Sequence, residues 1–377
     1  MRRRELLELA VGTGVISTAN TLFAEGVGKD PAGRYRTPYK WGKLVLGPSG
    51  VADAFDSRSV DCPFPFRHDG RFYLTYVGWD GVGYQTGLAS STDLLSWNRL
   101  GCILKRDPSS EVTRYNVAMN WIVRENGLRK PGELLRIGGR FLGVYHAYPN
   151  SGYEAGPAVI GLCWSSDLLH WTLDPPCLRP DQGAVWERGG LYKPCLLKIG
   201  ETFYLFYNAK TDAARDWREQ TGVATSKDLK QWTRHENNPI LPNGPAGSWD
   251  ERFASDPCVL NDKGTWVFFY YGLDAKGKAR DLLAAGDLLH PRKIDEILID
   301  VGEPGSVDET YAHKPGVIWH DGALYHFYCA VSGKWPNQVR GISVARSKPW
   351  SLGQSPQMRH LPIASLSAGT GVRSNDC

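Results

Sequence analysis

The chain has 377 residues, 42% of them hydrophobic and 22% charged, so it holds enough apolar mass for a large buried core. Its net charge is +4, and beyond Arg2, Arg3 and Arg4 it has no basic block, which argues against nucleic-acid binding through a clustered cationic face. The 42 Gly and 24 Pro suit many short strands joined by turns, and the 14 Trp, 17 Tyr and 12 Phe suit the packing of sheets.

Residues 1–24 read as an export signal. Arg2 to Arg4 form a positive start, Leu6 to Phe23 is mildly apolar, and small residues surround Ala19 and Ala24. The Arg-Arg pair followed by Glu-Leu-Leu resembles a twin-arginine signal, so a periplasmic or secreted location is expected. A helical N-terminal extension is the other reading. No later segment is long and apolar enough to span a membrane, so no membrane association is expected after signal removal. The eight cysteines show no metal-ligand spacing. Cys163, Cys195, Cys258 and Cys329 fall inside expected strands as small apolar residues, which argues against a disulfide framework.

One unit recurs along the chain. It is a Pro, an apolar run, a turn and an aromatic strand, seen at Pro63, Pro131, Pro194, Pro257 and Pro315. The second strand begins nine residues after the Pro in four copies and ten after Pro131. The intervening Asp-Gly, Gly-Gly, Gly-Glu and Lys-Gly pairs are hairpin chemistry. A small-residue strand follows, then a Ser-x-Asp-Leu-x-x-Trp turn ending at Trp97, Trp171 and Trp232; the fourth and fifth copies are degraded near Pro291 and Trp350. Five such units predict an all-β, five-bladed β-propeller of four-stranded antiparallel blades over residues 36–352. The last copy lacks a fourth strand, and residues 41–47 are expected to supply it and close the ring from the N-terminal side. Residues 353–377 are Ser/Gly-rich and are expected to form a loose tail.

In such a ring the innermost strands line a central channel. One residue before each Pro stand Cys62, Lys130, Lys193, Asp256 and Lys314; two before stand Asp61, Arg129, Tyr192, Ser255 and His313. Nearly all are polar, as a channel lining would be. Seven before each Pro stand Asp56, Arg124, Glu187, Asp250 and Asp308, four of them carboxylates. Asp56 and Asp250 share an aromatic-Asp-x-Arg pattern that brings Arg58 and Arg252 into register, and Glu251 lies between. A carboxylate that repeats at a strand entry also serves as a turn cap. Asp61 and Asp256 break the repeat at their positions, which favours a catalytic role.

Several carboxylates converging on one funnel suit cleavage of a glycosidic bond. One group protonates the leaving oxygen while another attacks or activates water. Lys193, Lys314, Arg58 and Arg252 would hold carboxylates ionised or grip an acidic group on the substrate. His313 reads as a hydrogen-bonded channel residue. Trp121, in the long segment from Arg106 to Arg129 with Tyr115, Asn116 and Asn120, is expected to shape the pocket.

The runs "DCPFPFRHDGRFYLTYVG", "GLASSTDLLSW", "YKPCLLKIGETFYLFYNA" and "SDPCVL" resemble the five-bladed propeller glycoside hydrolases of families 43, 32 and 130. The resemblance implies an Asp of the first blade as base or nucleophile, matched by Asp61 with Asp56 as rival. It implies an orienting Asp from a later blade, matched by Asp256. The acid has no matching Glu motif, and Glu187 is assigned to it by position. The fructosidase Trp-Met-Asn-Asp-Pro signature is absent, as is that family's C-terminal sandwich domain. The resemblance allows a structural cation on the axis, but no ligand set demands one; no cofactor is expected. Three readings follow: a hydrolase releasing terminal sugars from a plant, algal or microbial polysaccharide, a phosphorylase using Lys130, Lys193, Lys314 and Arg129 for phosphate, and a non-catalytic carbohydrate-binding propeller.

Overall fold

A computed structural model describes residues 30–212, 217–334 and 336–351. The expected signal at 1–24 and the tail at 353–377 lie outside them.

The chain enters through a short strand, β1 (Tyr39–Lys40), and then lays down antiparallel sets of strands in sequence order. The first set is β2 (Ser59–His68), β3 (Arg71–Trp79), β4 (Tyr84–Ser91) and β5 (Asn98–Leu104). The second is β6 (Ala118–Ile122), β7 (Arg136–Ile137), β8 (Arg140–Ala147), β9 (Val159–Ser165) and β10 (Thr172–Leu178). Next come β11 (Gly190–Ile199), β12 (Thr202–Lys210), β13 (Glu219–Ser226) and β14 (Thr233–Arg234). Then follow β15 (Phe253–Asp262), β16 (Thr265–Leu273), β17 (Ala279–Gly286) and β18 (Pro291–Ile299). The final set is β19 (Tyr311–His320), β20 (Ala323–Ser332) and β21 (Val339–Arg346). The architecture is all-β.

The Ser-x-Asp-Leu-x-x-Trp motif is a self-capping turn. Ser91 Oγ accepts from the Asp93 and Leu94 amides, and Asp93 Oδ1 accepts from Leu95 and Ser96. Ser165 with Asp167 and Ser226 with Asp228 repeat the pattern. The side chains replace the ladder bonds that the chain gives up at the turn. Between sets the core is apolar and aromatic: Phe64 packs on Trp121 at 4.6 Å and Phe206 on Phe268 at 5.5 Å.

The carboxylates seven residues before the Pro form a repeated latch. Each is buried and accepts a tyrosine hydroxyl from the second strand of its set: Tyr76 to Asp56 at 3.0 Å, Tyr207 to Glu187 at 2.7 Å, Tyr270 to Asp250 at 2.9 Å and Tyr328 to Asp308 at 2.8 Å. Each also meets a cation from an outer strand, namely Arg99 of β5, Arg234 of β14, Lys293 of β18 and, for Asp308, Lys40 of β1. β1 pairs antiparallel with β21, Tyr39 opposite Arg346, and Leu46 bridges Ile342. The N-terminal segment therefore supplies to the last set both a strand and the cation that the first, third and fourth sets draw from their own fourth strands.

The second set departs from the expected register. Its innermost strand is β6, which lies inside the segment expected to be a pocket-shaping loop, and Pro131 follows that strand rather than interrupting it. Arg124 is not a latch residue. It is buried and donates to the carbonyls of Pro65 and Val317. Arg129 lies 3.5 Å from Asp262 and over the Trp319 ring.

Candidate active site

In four sets the innermost strand carries a bulge at the repeat proline. The residue before that proline has a left-handed backbone: Cys62 at φ 53, Lys193 at 49, Asp256 at 51 and Lys314 at 67. Pairing slips at the same points, between Asp61 and Phe64, Tyr192 and Cys195, Ser255 and Cys258, and His313 and Gly316. Left-handed backbone is strained for any residue with a Cβ, and a bulge re-aims the side chain it carries. Here the strain turns these four side chains together. With Asn120 and Trp121 of β6 they line a narrow cavity of about 40 Å³.

The charges in that cluster are matched unevenly. Lys314 Nζ donates to Asp61 Oδ2 at 2.7 Å, and Arg340 Nη1 donates to the same oxygen at 2.9 Å. Burial alone would raise the Asp61 carboxyl, but Lys314, Arg340 and Lys193 together hold it well below the usual carboxylate range. Asp256 has no such direct partner. It exchanges hydrogen bonds with the Asn208 side-chain amide, and burial pushes its carboxyl up to about 7 against the opposing pull of Lys193 and Lys314. Lys193 contacts the Cys62 thiol, which burial pushes up to about 11 and so keeps protonated. These residues do not fit a structural cation, since two ammonium groups line the cavity where a metal ion would sit.

Lys314 also faces a second, larger cavity of about 600 Å³. Its wall is rich in rings, with Trp79, Tyr153, Trp217, Phe253, Tyr271 and Tyr311, and it carries two carboxylates, Glu154 and Glu219. Glu219 opens β13 and is almost wholly buried. It accepts from Ser255 Oγ at 2.6 Å, Tyr271 Oη at 3.2 Å and Trp217 Nε1 at 2.9 Å. Burial raises its carboxyl, and Glu154 adds to the rise, with the hydrogen bonds opposing. Glu154 sits in the loop between β8 and β9 with φ 51. Burial also holds His313 well below the usual imidazole range, so its ring is neutral; it stacks edge-on to Tyr271 at 5.1 Å on the same wall. A buried carboxyl raised by its surroundings, a second carboxylate and aromatic faces in one cavity are a suitable set for cleaving a sugar linkage.

The structure thus gathers Asp61, Asp256, Lys193, Lys314 and His313 around the axis, and places Trp121 there against Phe64 rather than in the larger cavity. Arg58 lines the larger cavity. The other expected site residues lie elsewhere. Glu187, assigned the acid role by position, is committed to Tyr207 and Arg234, and Asp56 and Asp250 are latches of the same kind. Glu251 caps the Gly247 amide at 2.7 Å, and Arg252 stacks on Phe253 outside the cavity lining. Glu219, Glu154 and Arg340 were not among the expected site residues. For Glu219 a signal existed: the third strands begin at Tyr84, Val159, Glu219, Ala279 and Val339, and only one of those residues is charged.

Comparison with known proteins bears on the family of the fold. Residues 123–295 match the family model of the glycosyl hydrolases family 32 N-terminal domain. A solved complex of BT0996 with RGII is 30% identical, with a TM-score of 0.71 over 83% of this chain and 92% of that protein. A second solved structure, of a glycoside hydrolase, is 28% identical with a TM-score of 0.72 over 85% of this chain and 95% of that protein. A 1,2-beta-oligomannan phosphorylase of Thermoanaerobacter sp. is 23% identical over 227 residues, which span 57% of this chain and 64% of that protein. By its strand sets and by these likenesses, the chain belongs to the propeller-fold glycoside hydrolases, the group that includes the family 32 N-terminal domain, and is an enzyme of the glycosidase class.

Proposed function

We propose that this enzyme hydrolyses the linkage of a terminal sugar in a plant, algal or microbial polysaccharide, within the larger cavity. Glu219 is the general acid and Glu154 the nucleophile or base. The observation that carries this reading is the pairing, on one ring-lined wall, of a buried carboxyl, which burial raises, with a second carboxylate. Asp61 acts through Lys314 and Arg340, whose positions on the wall it fixes. Asp256 sets the charge state of the axis below the cavity.

The strand sets are read as the five blades of one propeller, with residues 39–46 closing the ring against β21. The β1–β21 pairing and the Lys40–Asp308 latch support that closure. Action outside the cytoplasm is part of the same proposal, and rests on residues 1–24 alone.

A second reading is phosphorolysis. The name of the Thermoanaerobacter relative favours it, and Arg58, Lys314 and Arg340 on the wall would serve phosphate. The test is release of sugar from a panel of aryl glycosides and natural oligosaccharides, with and without phosphate. Phosphate-independent release that is lost in Glu219→Gln supports hydrolysis. Release only with phosphate selects the second reading. Binding without turnover under either condition removes both and leaves a carbohydrate-binding module.

A further inference from the structure

The wall of the larger cavity carries three cations, Arg58, Lys314 and Arg340. Two of them share the single carboxylate of Asp61 behind the wall as their partner. Arg58 does not, although two carboxylates lie near it in sequence. Asp56 is committed to Tyr76 and Arg99. Asp80 is committed to Arg106 at 2.7 Å and to the amides of Val82 and Gly83. Among the described residues no carboxylate forms an ion pair with Arg58.

Its side chain packs over a glycine of the following loop. It lies against Gly81, where a Cβ would come within 2.5 Å of Arg58 Cζ. Gly81 also has φ +99, a backbone conformation that suits glycine at this close approach. The Arg58 amide bonds the Trp79 carbonyl at 3.0 Å, and Trp79 meets Tyr153 edge-on at 5.9 Å on the same cavity wall. Arg252, the residue in register with Arg58 in a later set, is instead spent on the Phe253 ring. Among the described residues the cavity therefore presents a guanidinium without a counter-charge, on a wall shared with two rings.

We propose that Arg58 is a specificity-determining residue that binds the carboxylate of an acidic sugar, a uronic acid unit, in the substrate. A guanidinium matches a carboxylate through two parallel hydrogen bonds, and the charge makes each stronger than a neutral bond. The rings of Trp79 and Tyr153 argue for an anion carried on a sugar, since a free inorganic ion has no apolar face to lay against them. The inference names the substrate class for the site proposed above and rests on that site being where sugar binds.

The test uses the full chain and its Arg58→Gln variant. Binding of oligogalacturonate and oligoglucuronate is measured by calorimetry beside their methyl esters, which keep the sugar and remove the charge. The wild type is expected to favour the acid over the ester about tenfold, and Arg58→Gln to bring that ratio close to one, as loss of a charge-assisted pair predicts. An unchanged melting temperature shows that the variant is folded. Equal affinity for acid and ester in the wild type overturns the proposal, as does a preference that Arg58→Gln leaves intact. Competition by inorganic phosphate or a sulfated sugar that matches the uronate and depends on Arg58 overturns the carboxylate assignment. Because binding is read without turnover, failure of hydrolysis does not mimic failure here: uronate binding with no bond cleavage sinks the hydrolase reading alone.

Discussion

Lys314 Nζ lies 2.7 Å from Asp61 Oδ2, joining β19 to β2 across 253 residues of sequence. Both side chains are buried, and Arg340 shares the same oxygen. Removing one partner of a buried pair leaves a charge without compensation, at a cost of about 3–5 kcal/mol. Lys314→Met should cost less than that, because Arg340 remains beside Asp61. Asp61→Asn should cost more, because it strands two cations. Urea unfolding of the two variants checks this order. The Asp61 carboxyl is depressed in the folded state, so its contribution is present above the unfolded value, about 3.9, and is lost as pH falls below it. Asp61→Asn should therefore narrow the stability gap with the wild type below about pH 4.

Glu219→Gln should lower kcat by about 10²–10⁴-fold, the usual worth of a general acid. The raised Glu219 carboxyl makes the wild-type rate fall on the alkaline side, as the acid form is lost. The variant should lack that limb. Glu154→Gln removes the neighbouring charge that helps raise Glu219, and should move the limb of its residual activity to lower pH. Steady-state kinetics across pH on an aryl glycoside reads all three effects. An alkaline limb that persists in Glu219→Gln would assign the acid to another residue.

The repeat made the fold legible because its parts are local: hairpin turns, the Ser-Asp caps and the prolines all act within a few residues. The axis cluster was legible for a related reason, since Asp61, Lys193, Asp256 and Lys314 hold equivalent or adjacent places in different copies. The second set was misaligned because Pro131 imitates the repeat proline, while the true inner strand, Ala118–Ile122, has none. Glu187 was assigned by position because a carboxylate repeated for structural reasons looks, in sequence, like a channel lining; in the structure it is held by Tyr207 and Arg234. Glu219 escaped because it opens a third strand, and only the curl of the sheet brings it to Ser255 and Tyr271.

The Glu187 latch gives a prediction of opposite sign to a catalytic role. Glu187 is buried between Tyr207 at 2.7 Å and Arg234 at 2.7 Å. Glu187→Gln should destabilise the fold by about 3 kcal/mol, discounted for the partial exposure of Arg234. The kcat of the folded protein should stay within about twofold of the wild type. Denaturant midpoints and active-site-normalised kinetics separate the two readings. A stable variant with kcat down by about a hundredfold or more would return Glu187 to the candidate acids.

Asp256 offers a test in the neutral range. Its folded carboxyl stands at about 7, above an unfolded value of about 3.9. A raised carboxyl means that the folded state holds the proton more tightly than the unfolded chain. Its contribution is therefore complete below about pH 4 and is lost as pH rises through about 7. The interval corresponds to about 4 kcal/mol, as an order of magnitude for so buried a group. Asn cannot ionise, so Asp256→Asn should lose less stability than the wild type between about pH 4.5 and 7.5 when both are unfolded in urea. Parallel slopes would mean that Lys193 and Lys314 outweigh burial and keep Asp256 ionised throughout. The axis cluster would then carry two carboxylates against its cations, and the charge presented to the floor of the cavity would be fixed across the working range instead of changing within it.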